Sequence, residues 1–306
     1  MTQIELVFLG TTAGVPTKKR NHAAVYLKYQ SEQEFSCLFD CGEGTQRQML
    51  FAGVNFMRIN DVFITHWHAD HFAGLLGLLE TMNLEGRTEP LNIYAPEAEK
   101  FVEILLSLGY STKDFDVFAK DVWFEGINKQ VLLDNSEFRI TSIPMKHSIP
   151  AAAYAFEEKE RVKIDREKAK KLGLPEKSKI YRLIKEKGSA DFRGKEITLE
   201  DISIIEKGKK IVYSGDTQVN KNMLKLAEGA DMLIHDSTFF DGDEEEKSYR
   251  HASFEDVLQL AKQAKVKQVI LTHISRRYQD ENELKDKIKN YPNARIAEDF
   301  MRIVLK

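Results

Sequence analysis

Short apolar runs recur along the chain: IELVFLG, AAVYLKY, FSCLFD, DVFITH, LNIYAP, FRITSIPMKH, AAYAFEE, KKIVYSGD, DMLIHD, QVILTH and RIVL. Their length and their β-branched and aromatic content predict strands. Between them lie TQRQMLFAG, AEKFVEILLSLG, NKNMLKLAEG, SFEDVLQLAKQAK and ENELKDKIKN. Apolar positions in these segments return every three to four residues, which predicts amphipathic helices. Strands and helices interleave throughout, so the expected architecture is layered α/β. Three strands share an ending: VFITH, IVYSGD and VILTH each run from apolar residues into Thr or Gly and then into His or Asp. The opening, MTQIELVFLGTTAGVP, reads as a strand entering a loop and not as a signal peptide, because no basic region precedes its short apolar run. No apolar run approaches the ~18 residues that cross a bilayer, and a cytoplasmic protein is expected.

Composition narrows this picture in two places. The formal net charge of the 306 residues is -3, which provides no general attraction to nucleic acid or acidic membranes, so a polyanion site must be local. From Arg161 to Lys187 there are eleven Lys and Arg against four Asp and Glu. Two basic helical stretches with little apolar face, REKAKKLG and IYRLIKEKG, read as a solvated arm projecting from the core. The organisation expected is a single domain over 1–306 with an inserted flexible arm at 157–208. Cys37 and Cys41 lie in one apparent strand, too far apart for a disulfide and without a second pair to hold zinc, so both are expected as buried thiols.

The chemistry concentrates in THWHADH, where His66, His68, Asp70 and His71 occupy six positions of a chain with eight histidines. On a strand His66 and His68 face one side, and a following loop can turn Asp70 and His71 toward a second point. Two ions about 3.5 to 4 Å apart would share such a cradle, and they need further ligands. His147, Asp216 and His273 stand at the ends of apolar runs and supply them. The simplest allocation gives His66, His68 and His147 to one ion, Asp70, His71 and His273 to the other, and Asp216 to both. Two Zn2+ per subunit suit this set, as do other divalent ions such as Mn2+.

HxHxDH with downstream His, Asp and His resembles the metallo-β-lactamase superfamily. That resemblance implies a four-layer αββα sandwich, here with a projecting basic arm. Narrower features are similar to the ribonuclease Z family: LVFLGTTAGVPTKKRN, FDCGEGTQRQM, SGDT, HDSTF, HASFED and LTHISRRY follow one another in that family's order. The basic arm falls between His147 and Asp216, where the family inserts a tRNA-binding exosite. The resemblance implies a zinc-dependent hydrolase and endonuclease that removes the 3′ trailer from precursor tRNA and leaves a 3′-hydroxyl. It also implies a homodimer in which one subunit's arm holds the tRNA cleaved by the other.

Roles follow for individual residues. Asp70 orients the attacking water and accepts its proton; the hydroxide, activated by both ions, attacks phosphorus. His251 is the general acid for the departing 3′-oxygen, with Asp236 as the partner that aims it. Lys18, Lys19 and Arg20 meet the backbone near the cleaved end, and Lys170, Lys171, Lys177, Lys179 and Arg182 bind RNA from the arm. Two departures from the family pattern stand out. His235, Asp236, Ser237 and Thr238 replace His-Glu-Ala-Thr, a carboxylate one methylene shorter, and LPEKSKIY has no Gly-Pro pair. His22 reads as a packed histidine, and His235 as packed or as supporting a ligand. Ser275 and Arg277 are left open as RNA contacts. The rival readings are a small phosphodiester or sulfate ester hydrolase, an acyl hydrolase, and a non-catalytic RNA-binding module.

Overall fold

The structure is a computed structural model that describes residues 2–32, 34–108, 113–240 and 250–306. Backbone contacts divide the chain into two compact units: Met1–Glu157 with Lys210–Lys306, and Glu158–Lys209.

The larger unit holds two seven-stranded sheets among its described residues. The first runs, edge to edge, Arg302–Leu305, Gln3–Gly10, Ala24–Gln30, Glu34–Phe39, Asp61–Phe63, Leu91–Ala95 and Val117–Asp121. The second runs Ala294–Ile296, Gln268–Thr272, Met232–Asp236, Lys210–Tyr213, Ala152–Glu158, Phe138–Pro144 and Gln130–Asp134. Their inner faces meet in one aromatic core, where Phe39 packs on Phe63, Tyr154 and Tyr213. The outer face of the first sheet is covered by helices Thr45–Ala52, Leu75–Leu84 and Ala98–Leu106 through Met49, Leu78, Leu79 and Val102. Helices Lys221–Ala227, Phe254–Gln263 and Glu281–Ile288 cover the second through Met223, Leu226, Val257 and Leu284. Helix, sheet, sheet, helix is the four-layer αββα sandwich. Helix Leu75–Leu84 is absent from the expected elements, although Leu75, Leu78, Leu79 and Met82 repeat at the helical spacing and are all buried.

Both sheets are parallel where it matters for the site. Glu34–Phe39 pairs in parallel with Asp61–Phe63, and Lys210–Tyr213, Met232–Asp236 and Gln268–Thr272 form a parallel trio. Their carboxyl ends therefore lie at one level, and the residues that follow each strand are delivered to one edge. Open sheets place ligands beyond such strand ends.

The smaller unit is not a bare excursion. Arg161–Ile164 pairs antiparallel with Ser203–Glu206, and Ser189–Phe192 with Lys195–Thr198 through a two-residue turn whose residues, Arg193 and Gly194, both have positive φ. Asp165 caps helix Arg166–Lys171, accepting from the N–H groups of Glu167 and Lys168. Ala169, Leu174, Ile180, Ile184, Ile197 and Ile202 close a core of their own. The two basic helices thus have an apolar face after all. It was hidden because each contributes only one or two residues to a core completed by a hairpin far along the chain. Lys170, Lys171, Lys177, Lys179 and Arg182 are all exposed. No helix among the described residues is long and apolar enough to cross a membrane.

One core acid gives the fold a pH signature. Asp61 is 5% exposed and accepts from Asn92, and burial raises its carboxyl to about 6. The folded chain then binds this proton more tightly than the unfolded one. The contribution to stability is complete below the unfolded pKa of about 4 and is lost as pH rises through about 6. Asp61→Asn removes the titration, so denaturant unfolding at pH 5 and pH 7.5 should show the variant gaining about 1 kcal/mol relative to the parent at the higher pH. An unchanged difference between the two would contradict this.

Candidate metal centre

Asp40 follows strand Glu34–Phe39 at a φ of 55° and is fully buried. Its carboxylate accepts from Thr65 N–H at 2.7 Å, from the Thr65 hydroxyl at 3.0 Å and from the Tyr213 hydroxyl at 2.8 Å. His71 Nδ1 lies 2.7 Å from it. Capture of the Thr65 N–H ends the ladder of strand Asp61–Phe63. The chain turns there, with Thr65 C=O accepting from Ala152 N–H of the other sheet. The strand face that their spacing predicts for His66 and His68 is therefore not formed, because the strand stops three residues before His66. His66 lies in the turn, and His68 immediately precedes the single helical turn Ala69–Phe72 that carries Asp70 and His71. The loop fits because Gly42 has no side chain: a Cβ there would stand 2.3 Å from the Asp70 carbonyl oxygen. Gly215 is equally constrained, since at φ +58° a Cβ would meet Thr65 at 2.5 Å.

Seven side chains converge on this edge. His66, His68, His147 and Asp216 present ligand atoms within 4.8 Å of one another, and so do Asp70, His71, Asp216 and His273. Asp216 belongs to both groups. Its Oδ2 is 3.7 Å from His66 Nε2, and its Oδ1 is 3.2 Å from both His71 Nε2 and His273 Nε2. His68 Nδ1 lies 3.0 Å from His66 Nε2 and 3.1 Å from His147 Nε2, and His273 Nε2 is 3.4 Å from Asp70 Oδ2.

These separations fit divalent ions. Ligands bound at 2.0 to 2.1 Å in tetrahedral geometry stand about 3.3 to 3.4 Å apart. Three imidazoles are also turned the right way. The Thr65 and Thr238 hydroxyls each reach a carboxylate, so they are free to accept from His66 Nδ1 at 3.0 Å and His273 Nδ1 at 3.0 Å, while Asp40 accepts from His71 Nδ1. In each ring the Nε2 lone pair is left facing the cluster. Asp216 Oδ1 is buried without a hydrogen-bond partner.

The electrostatics agree. Burial works against the ionised form of Asp70 and Asp216, yet the facing histidines hold both carboxyls well below the usual range. Burial likewise opposes charge on His273, and Asp216 with the neighbouring acids still pushes it up to about 10. Burial lowers His147 to about 4. The carboxylates thus call for positive charge at the centre; burial discourages His66, His68 and His147 from supplying it, whereas the acids they face draw His71 and His273 toward the charged form against their burial. His273 is held at a φ of 58°, a conformation that a residue outside glycine adopts at a cost of about 1 to 3 kcal/mol.

A second constellation adjoins the first. His251 Nδ1 is 2.8 Å from Asp236 Oδ2, and Asp236 Oδ1 accepts from Thr238 N–H at 3.0 Å and from the Thr238 hydroxyl at 2.7 Å. The shorter Asp side chain therefore still spans to the histidine. Burial opposes the charged form of His251, and Asp236 overrides it and raises the pKa.

The remaining expected residues divide. Lys18 and Lys19 are exposed, and Lys19 lies 3.4 Å from Glu281. Arg20 is a correction: it is 7% exposed, and its guanidinium donates to the Thr11 hydroxyl at 2.8 Å and to the Ala297 carbonyl. It anchors the loop from inside, beside Asp299, instead of presenting charge to a ligand. His22 is packed, with Nε2 3.1 Å from the Gly14 carbonyl. His235 is fully buried and joins neither ligand group. Arg277 lies over the Phe239 ring, and Ser275 is half-buried. Cys37 and Cys41 are free, buried thiols. Asp40, Thr65, Tyr213 and Thr238 are functional residues that the motif reading missed. FSCLF ending in Asp repeats the apolar-strand-then-acid shape of IVYSGD, which places Asp40 at a strand end without showing what it binds.

Comparison with known proteins adds an independent line. A family model described as "Anti-Pycsar protein Apyc1" matches residues 4–166, and one described as "Beta-lactamase superfamily domain" matches residues 194–274. Ribonuclease Z of Methanothermobacter thermautotrophicus is 38% identical over 310 residues, covering 99% of this chain and 97% of that protein. Ribonuclease Z of Methanococcus maripaludis is 41% identical, covering 99% and 100%. Among solved structures, the short form of human tRNase Z superposes with a TM-score of 0.71 at 26% identity and 98% coverage of both chains.

Because Asp40 holds three elements at once, Asp40→Asn should weaken the centre without touching a ligand. An amide nitrogen would then face the Tyr213 hydroxyl or His71 Nδ1, so a loss of about 1 to 3 kcal/mol in stability is expected. Zinc affinity measured by competition with a chelator should fall 10- to 100-fold. Parent-like zinc affinity in this variant would show that the support is dispensable.

Proposed function

The chain belongs to the ribonuclease Z family, and from that membership we infer the reaction of its site: it is a hydrolytic endoribonuclease that processes the 3′ end of tRNA on the metallo-β-lactamase scaffold. The observation that carries this is an alignment with proteins named ribonuclease Z over 99% of the chain, the basic arm interval included. The His and Asp groups make it a divalent-metal enzyme. We assign two ions per subunit, zinc by choice of ligand chemistry with Mn2+ as a substitute, one to His66, His68 and His147 and one to Asp70, His71 and His273, with Asp216 shared. When bound, they supply Lewis acidity that activates water and offsets phosphate charge.

The chain's own residues handle the protons. Asp70, fixed by Gly14 N–H at 2.9 Å, orients water toward phosphorus and takes its proton. As the P–O3′ bond breaks, His251 gives a proton from the ring nitrogen opposite Asp236 to the leaving oxygen. A 3′-hydroxyl stays on the tRNA and the phosphate leaves with the trailer. Asp236 keeps the His251 ring aimed and favours its charged form. Lys18 and Lys19 pair with backbone phosphates, without Arg20. Lys170, Lys171, Lys177, Lys179 and Arg182, all on the unit Glu158–Lys209, form the exosite. Leu50 and Phe51 on helix Thr45–Ala52 and Leu84 on helix Leu75–Leu84, 63%, 64% and 84% exposed, are apolar side chains that a homodimer would cover. The cytoplasm is the compartment that suits reduced, buried thiols and a precursor tRNA substrate.

The direct test is an end-labelled precursor tRNA with a 3′ trailer, incubated with zinc-loaded protein beside Asp70→Ala. One metal-dependent cut next to the acceptor stem, absent in the variant, is the expected result. No cut by protein carrying two ions per chain would move the reading to a small phosphodiester hydrolase. Removal of 161–187 should spare cleavage of a nitrophenyl phosphodiester and reduce precursor cleavage at least tenfold; undiminished precursor cleavage would sink the exosite.

A further inference from the structure

We propose that a recess opening on His147 is a binding groove for the single-stranded 3′ trailer, with Lys146 and Lys221 as its phosphate contacts; the inference rests on the tRNA-processing reading above. The recess has a volume of ≈ 570 Å³, within the range of ligand clefts. His147 lines it and also belongs to the metal-ligand cluster, so the recess adjoins the metal edge through this residue. Lys146 and Lys221 are both exposed and line it together with Phe124 and Ser148. Glu125 is the one acid among its described lining residues.

The walls are preformed. Asn222 Nδ2 donates to Gly126 C=O at 3.0 Å and to Pro144 C=O at 2.9 Å, tying the loop after strand Val117–Asp121 to the end of strand Phe138–Pro144. Lys225 adds a third tie, donating to Ile127 C=O at 3.0 Å. The strand end that delivers His147 to the metal edge is therefore the same backbone that forms one wall.

Charge and shape select the occupant. A cationic groove with an aromatic wall is how proteins track unpaired strands, the lysines following phosphates and the ring meeting base faces. At ≈ 570 Å³ the recess has room for more than a single phosphate. Of the parts of a precursor tRNA that adjoin the cut, the trailer is the one that continues as an unpaired strand for several nucleotides.

The test compares precursors with a one-nucleotide trailer and with a trailer of about ten nucleotides, using the full zinc-loaded chain and a Lys146→Gln/Lys221→Gln double variant. The preference for the long trailer, as a ratio of kcat/KM values, should fall about tenfold. The slope of log(kcat/KM) against log salt for the long trailer should become shallower by roughly 1 to 1.5, the share of two phosphate contacts on a single strand. A Lys146→Arg/Lys221→Arg variant should restore most of both effects. An unchanged trailer-length ratio would overturn the proposal, as would an equal loss on both substrates, which would place the lysines against the tRNA body. Cleavage by the parent protein in the same assay keeps this outcome separate from failure of the functional reading.

Discussion

Asp40 is the interaction on which the rest of the site depends. A carboxylate taken fully out of water is costly unless every lone pair is used, and here four donors use them. Those donors come from the turn that follows one parallel strand, from the helical turn carrying the cluster, and from Tyr213 at the end of a strand in the opposite sheet. The two sheets are thereby pinned to each other at the one edge where separation by an ångström would matter. The same bonds fix the tautomer of His71 and, through Thr65, that of His66. One buried acid sets backbone path, sheet spacing and ligand orientation together.

The cluster is locally unfavourable by design. His273 and Asp40 are held in left-handed backbone, Gly42 and Gly215 leave no room for a methyl group, and imidazoles crowd at about 3 Å. Apolar layers on both sides hold this arrangement in place. Strands in the middle of each sheet are buried on both faces, so the residues that follow them cannot move without disturbing packed cores. Preorganisation of this kind lowers the reorganisation needed when a charged substrate arrives.

Much of this was legible in the residues. HxHxDH and the strand-end His and Asp positions identified the groups that meet, because in a parallel sheet the carboxyl ends of strands share an edge and sequence order does not matter. What stayed hidden depends on distant partners. Asp40 has no local pattern that distinguishes a hub from a turn acid. Strands Val117–Asp121 and Gln130–Asp134 are short, partly exposed edge strands whose apolar residues do not alternate with polar ones, so periodicity says little about them. Arg20 looked like its neighbours Lys18 and Lys19, and only the fold reveals Thr11 and the carbonyl of Ala297 beneath it. The core of the smaller unit needs Ile197 and Ile202 from beyond its basic stretch, so composition alone made it look solvated.

The point where that smaller unit enters the chain has a wider meaning. Glu157 and Lys210 are register partners in one antiparallel ladder, and the unit Glu158–Lys209 leaves and re-enters across that rung. The ends of the insertion are held together by the sheet whatever lies between them. Closing a longer or shorter excursion across the same rung changes the entropy by only about 0.6 kcal/mol per doubling of length. Such a joint decouples the insertion from the centre: its length and content can change while every imidazole and carboxylate at the metal edge stays where the sheets put it.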